Sequence, residues 1–260
     1  MLRDTQIVCI NLENRPDKLR QVQKTFQNIG IEDQVSFFTA QKSSKGGLYG
    51  CMDSHIQVIH DAYKDGWDFV VIFEDDVVTT PYFSMQRFHD ALSWHRQHQD
   101  TCDILFLGHF PFHDSSGSLL PYAIAPFLPF EKNFVKFSPT GTHAYCVSRV
   151  GMEKIINSDW KYWIGREHYD VFLAKQHHIN SICYVPCLFA QYSCLGTDNT
   201  ANSRLESFAR NFQCYADISL ANYNISLWKF YSKYFYIISF FFIVSLVIFI
   251  LFQKVLYIKC

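Results

Sequence analysis

The sequence predicts an α/β sandwich, a mixed, mostly parallel sheet between layers of helices, followed by one apolar C-terminal helix. Three observations carry this. Short apolar runs alternate with amphipathic segments through most of the chain, the pattern of strands joined by crossover helices. Phe69 to Phe73 (FVVIF) is apolar without alternation, as a strand covered on both faces must be. Phe235 to Phe252 contains 18 residues without a charge.

Taken in order, Gln6 to Leu12 reads as a short, mostly apolar strand. Pro16 then opens a charged segment to Asn28, with Leu19, Val22 and Phe26 at helical spacing, and Gly30 stops it. Val35 to Ala40 is a second strand. Lys42 to Gly50 is a Ser/Gly/Lys loop, and Cys51 to Tyr63 is helical, with Ile56, Ile59 and Tyr63 on one face. The buried strand ending at Phe73 runs directly into Glu74-Asp75-Asp76. Pro81 begins a helix to about His98, and Ile104 to Leu107 is the next strand, ending at Gly108. Between His109 and Lys136 periodicity fails, and the Pro/Phe/Gly/Ser-rich composition reads as a long loop or lid. His143 to Ser148 is strand-like, while Val150 to Ser158 and Tyr169 to His178 are helical. Neither an internal repeat nor a Gly/Ser linker divides the chain, so one domain over residues 1–215 is expected.

Of the 18 residues from Phe235 to Phe252, 15 are Ile, Leu, Val or Phe. As a helix they would span roughly 27 Å, the thickness of a bilayer core. Lys229 and Lys233 before it, and Lys254 and Lys259 after it, suit the headgroup layers. The expectation is a juxtamembrane segment at 216–234, a membrane helix at 235–252 and a short tail at 253–260. The N-terminal residues contain no signal-peptide core, so the domain before the helix is expected to face the cytosol from a single-pass anchor. Nine cysteines at scattered spacings fit neither a zinc ribbon nor a disulfide framework. With 23 Lys+Arg against 24 Asp+Glu there is no basic surface for nucleic acid, and 49% apolar residues exclude a disordered chain.

The sharpest chemical feature is Glu74-Asp75-Asp76 at the carboxyl end of a buried strand, where ligands of open α/β sheets bind. In an extended chain Glu74 and Asp76 point to one side and Asp75 to the other. Three adjacent carboxylates repel one another and call for a positive partner; a divalent ion, Mn²⁺ or Mg²⁺, is the economical one. A solvated acidic turn is the alternative. Gly50-Cys51-Met52-Asp53-Ser54-His55 opens a helix whose free N–H groups favour an anion, although Asp53 or Ser54 as a cap and His55 as packing fit equally well. Arg15 has the planar fork for a phosphate or a uracil edge, and is otherwise a solvated charge beside Asp17.

The ordered set Ile7-Val-Cys-Ile-Asn11-Leu12-Glu-Asn-Arg15-Pro-Asp17, Gly47-Leu-Tyr-Gly50-Cys51-Met-Asp-Ser54-His55 and Val71-Ile-Phe-Glu74-Asp75-Asp76-Val77 resembles glycosyltransferase family 25, which includes lipopolysaccharide-type sugar transferases and collagen galactosyltransferases. The likeness continues through Asp103 to Gly108, Gly141 to Ser148 and Tyr169 to Leu173. It implies a GT-A-like, Rossmann-type domain that moves a hexose, usually galactose from UDP-galactose, with inversion and often with a divalent metal, Mn²⁺ more than Mg²⁺. Carried onto this chain, Glu74 and Asp76 look like metal ligands. Asn11, Arg15, Ser54, His55, Asp75 and His143 look like nucleotide-sugar contacts. Asp170 looks like the catalytic base, or else caps the helix of Val171 to Leu173. His177 and His178, adjacent on a helix, face apart and make a poor metal pair. The implied partners are a nucleotide-sugar donor, a glycan, glycolipid or protein acceptor, and a membrane through the C-terminal helix. A metal-dependent nucleotide phosphohydrolase and an inactive membrane-tethered binding protein stand as alternatives.

Overall fold

A computed structural model of the chain describes residues 4–110, 129–131, 133–136, 138–192 and 244. The chain opens with strand β1 (Thr5–Leu12), helix α1 (Pro16–Ile29) and strand β2 (Val35–Ala40). Pro16 starts α1 because proline fits the first helical turn. Gly30 ends it in the left-handed region, at φ 71°, its N–H donating to the carbonyl of Gln27. Helix α2 (Gly47–Lys64) leads to β3 (Phe69–Glu74) and the short β4 (Val77–Thr79). Helix α2 starts at Gly47, four residues before the expected Cys51. Helix α3 (Met85–Gln97) begins at Ser84 rather than Pro81; the Ser84 hydroxyl accepts the Arg87 N–H and caps it.

Strand β5 (Ile104–Phe110) is followed, within the expected loop, by β6 (Pro129–Glu131) and β7 (Phe134–Lys136). Then come β8 (Thr140–Ser148), helices α4 (Arg149–Ile156), α5 (Trp160–Trp163) and α6 (Tyr169–Lys175), and strands β9 (Ser181–Tyr184) and β10 (Phe189–Gln191). The eight-stranded sheet has the order β2-β1-β3-β8-β5-β9-β7-β6, and β10 pairs with β4 apart from it.

The α/β sandwich is present, but the sheet is mixed rather than mostly parallel. Strands β2, β1 and β3 are mutually parallel, as the crossover helices α1 and α2 require. Strand β8 then runs antiparallel to both β3 and β5.

Period-2 alternation sends side chains into two cores. Cys9, Val71, Phe73, Leu105 and Cys146 pack with Val22 and Phe26 of α1 and Phe88 and Leu92 of α3. Val8, Val70, Ile72, Phe106 and Tyr145 pack with Met52, Ile56 and Ile59 of α2, Met152 and Ile155 of α4, and Tyr169 and Phe172 of α6. FVVIF is uninterrupted because β3 serves both cores. The cysteines among the described residues are free thiols.

The expected membrane helix at 235–252 lies outside the described residues, apart from residue 244. Among the described residues no helix is long and apolar enough to cross a membrane. The C-terminal transmembrane helix is therefore withdrawn from the fold, and with it the single-pass membrane localisation and the membrane partner. Of the described helices α2 is the longest, at 18 residues, and it is amphipathic: Gln57, His60, Asp61 and Lys64 form an exposed polar stripe.

Candidate active site

The carboxyl ends of the three parallel strands meet in one cleft, at Leu12 of β1, Ala40 of β2 and Glu74 of β3. The cleft has a volume of about 110 Å³, and its far wall is the start of α2, at Gly47, Gly50 and Cys51. No side chain caps that helix, because Gly46 stands at the cap position. This uncapped helix start, the positive end of the helix dipole, lines the cleft with Lys42. Gly50 lies close to the preceding loop: a Cβ there would be 3.1 Å from Cβ of Ser43, which would have to shift by a few tenths of an ångström.

The acidic turn forms the floor, and its carboxylates divide. The strand ends at Glu74, so alternation does not continue into the turn, and Asp75 and Asp76 both face Lys18 of α1. The Lys18 ammonium lies 3.2 Å from Oδ1 of Asp75 and 3.4 Å from Oδ2 of Asp76. Oδ2 of Asp75 accepts the Asn11 amide at 2.9 Å and the Leu12 N–H at 3.4 Å. Oδ2 of Asp76 also accepts the Gln191 amide at 3.0 Å. Gln191 reaches it because β10 pairs with β4, with Gln191 opposite Val77. Burial pushes the Asp75 carboxyl above its ordinary value, against the pull of Lys18 and Asn11. Burial likewise drives Asp76 up to about 7; the neighbouring charges of Glu74 and Asp75 add to this and Lys18 opposes it.

Glu74 turns the other way. Its Oε1 accepts the Thr142 hydroxyl at 2.7 Å and lies 3.5 Å from Nε2 of His55. His55 is 1% exposed, stacked on Tyr169 at 4.5 Å, with Nδ1 at 2.8 Å from the Tyr145 hydroxyl. Burial raises the Glu74 carboxyl, but the His55 hydrogen bond and charge, with Thr142, outweigh it and hold the group at about 2.

A second cleft adjoins the first and shares Cys51, Glu74 and Gln191 with it. Its other walls include Gly141, Thr142, His143, His168, Tyr169 and Asp170. Asp170 uses both oxygens on backbone N–H groups, Oδ2 on Gly141 and Oδ1 on Val171, each at 2.8 Å. His143 is buried against β5, and Gly108 makes room for it: a Cβ at 108 would sit 2.6 Å from the His143 Nε2. Burial lowers the His143 ring to about 4, so it is neutral at pH 7.

The structure thus gathers His55, Ser54, Glu74, Asp75 and Asp76 on the first cleft, with Asn11 behind Asp75, and Glu74, His143 and Asp170 on the second. The Ser54 hydroxyl is turned back to the Gly50 carbonyl at 2.7 Å. Arg15 is not among the lining residues of either cleft, and its fork is bonded to Asp17 at 2.8 and 3.0 Å. Those bonds hold Asp17 well below the usual carboxylate range. Sequence reasoning missed Lys18, Thr142, Tyr145 and Gln191. Lys18 left a signal: with Val22, Thr25 and Phe26 it lies on the buried stripe of α1, an unusual place for a lysine.

What the turn offers a hard divalent cation is a single carboxylate oxygen. Asp76 lines the cleft, is 4% exposed, and its Oδ1 is buried without a hydrogen-bond partner. Ions such as Mg²⁺ take one or two carboxylates and complete their shell with water and phosphate, rather than filling an all-protein cage. Among the described residues no group of three or more His, Cys, Asp or Glu is arranged to hold a metal.

No family model matches the chain. No curated protein matches it either. Solved structures do. A glycosyltransferase involved in glycosylation of the major capsid of PBCV-1 is 11% identical, over 81% of this chain and 98% of that one, with a TM-score of 0.45. A mutant Drosophila β-1,4-galactosyltransferase 7, in complex with manganese, UDP-Gal and xylobiose, is 10% identical over 79% of each chain, at 0.39. A CMP:2-keto-3-deoxy-manno-octonic acid synthetase complexed with CTP is 12% identical over 82% and 99%, at 0.40. At such identities, substrate and chemistry have to be read from the site.

Proposed function

We propose that this protein is a nucleotide-sugar transferase that moves a hexose, galactose foremost, from a UDP-sugar to an acceptor hydroxyl on a glycan, glycolipid or protein, with inversion at the anomeric carbon. The observation that carries the reading is the pair of adjoining clefts with Glu74 on their shared wall. A transferase needs a donor chamber that accepts an anion and an acceptor chamber with a base, opening onto each other. The motif resemblance to glycosyltransferase family 25 supports the same reading.

In the donor cleft, the N–H groups at the start of α2 and the Lys42 ammonium face the diphosphate, and Asn11 holds Asp75 in place. A divalent ion, Mn²⁺ before Mg²⁺, would be held by Asp76, and when bound it supplies charge compensation for the departing UDP. In the acceptor cleft Asp170 keeps lone pairs beyond its two backbone bonds and takes the proton of the acceptor hydroxyl. As that oxygen bonds to the anomeric carbon, the bond from this carbon to the diphosphate breaks, and UDP leaves with the electron pair. Attack from the face opposite the leaving group inverts the centre. Thr142 and His55 fix Glu74 on the wall between the two substrates.

The test is incubation of the purified chain with UDP-galactose, Mn²⁺ and a panel of acceptor sugars, with NMR of the product. A β-linked galactoside from the α-linked donor is the expected result. Phosphate released without sugar transfer to any acceptor would make the protein a phosphohydrolase instead.

A further inference from the structure

We infer that Lys18 is a resident counter-cation that keeps the acidic turn from holding a divalent ion alone, so that metal and nucleotide diphosphate enter the cleft together. The inference rests on the donor-site reading above and concerns how that site is loaded.

Asp75 and Asp76 have four carboxylate oxygens, and three are occupied. Lys18 takes Oδ1 of Asp75, Asn11 and the Leu12 N–H take Oδ2 of Asp75, and Lys18 with Gln191 takes Oδ2 of Asp76. The buried Oδ1 of Asp76 is the oxygen that lacks a partner. Glu74 points its Oε1 away, to Thr142 and His55. A divalent ion at this turn therefore meets one uncommitted aspartate oxygen and a buried ammonium that repels it. Hard cations of this kind require about six oxygen ligands. A nucleotide diphosphate supplies several, and its negative charge offsets the repulsion from Lys18. Lys18 cannot swing aside into water: it is 4% exposed and anchored on the buried stripe of α1 with Val22 and Phe26. It is a positioning residue, acting through Asp75 and Asp76.

The test is Mn²⁺ binding by the full chain, read from the electron paramagnetic resonance of free Mn²⁺, with and without UDP and corrected by protein-free controls. In the wild type, UDP is expected to raise Mn²⁺ affinity at least tenfold, and by linkage Mn²⁺ raises UDP affinity by the same factor. Lys18→Met, which conserves length and removes the charge, is expected to bind Mn²⁺ without nucleotide at least tenfold more tightly, with a smaller gain from UDP. Lys18→Arg should behave as the wild type. Equal Mn²⁺ affinity with and without UDP in the wild type overturns the inference. So does a folded Lys18→Met, checked by circular dichroism, that binds Mn²⁺ no more tightly. If Lys18→Met does not fold, the wild-type comparison decides alone. If UDP fails to bind in any metal state, the donor reading falls, and the coupling with it; a tighter nucleotide-free Mn²⁺ site in Lys18→Met would still show Lys18 excluding the cation.

Discussion

The N–H of Gly141 donates to Oδ2 of Asp170 at 2.8 Å, tying the start of β8 to the first turn of α6. Gly141 has φ 85°, a conformation that side chains other than glycine strain to adopt. Asp170 is not the cap of that helix, a place held by His168, but it accepts the Val171 N–H within the first turn and lines the second cleft, where the proposed base would have to stand.

The two roles separate by substitution. Asp170→Asn keeps a carbonyl oxygen for one backbone N–H and loses the base. Sugar transfer should fall by about 10²-fold or more, with UDP binding by calorimetry unchanged. Asp170→Ala should lose the same activity and about 1 kcal/mol of stability besides, read by urea denaturation.

The metal assignment predicts that donor binding depends on Asp76 and not on Glu74. Asp76→Asn should weaken Mn²⁺-dependent UDP binding by more than about tenfold, the effect of losing one charged ligand. Chelation with EDTA should do the same to the wild type. Glu74→Gln, whose carboxylate faces Thr142 and His55, should leave Mn²⁺-dependent UDP binding largely intact while transfer falls.

Stability of the metal-free protein should depend on pH in opposite senses at the two ends of the turn. Asp76 rises from 3.8 to about 7 on folding, so its contribution is full below pH 4 and is lost as pH rises through 7. Glu74 falls from 4.5 to about 2, so its contribution is present above pH 4.5 and is lost on acidification toward pH 2. Urea melts at pH 4.5, 6 and 7.5 should show Asp76→Asn gaining on the wild type as pH rises. A constant difference between the two would reject the assignment.

Gly108 packs directly against His143, which lines the second cleft. A Cβ there would meet Nε2 of His143 at 2.6 Å and the Phe189 carbonyl oxygen at 2.8 Å. Gly108→Ala should cost about 1–3 kcal/mol, the usual range for overpacking a core. It should also displace His143, which lines the second cleft, and lower acceptor affinity more than UDP affinity. Denaturation and separate titrations of donor and acceptor check both.

Much of the framework was legible in the residues. The short apolar runs of β1 and β2, the unbroken FVVIF of β3, Pro16 and Gly30 around α1, and the acidic turn at a strand's carboxyl end are local statements, and the structure has each of these elements in its place. The failures are where partners come from afar. The antiparallel direction of β8 is set by its pairing with β3 and β5, and periodicity does not encode direction. Strands β9 and β10 are three or four residues long, too short for a pattern. Arg15 is a local case instead: its fork is bonded to Asp17, two residues on, the alternative that the sequence also offered.

By itself the sequence determined the α/β class, two cores around a buried strand, and a carboxylate-rich turn beside a glycine-opened helix, because these depend on hydrophobic period and turn chemistry within a few residues. Only the tertiary structure decided which way each carboxylate faces. Lys18 reaches Asp76 across 58 positions, Gln191 across 115 and Thr142 reaches Glu74 across 68, and no local pattern records such distances. The cation that the three carboxylates required is in part the protein's own lysine, placed there because α1 must bury the face that contains it.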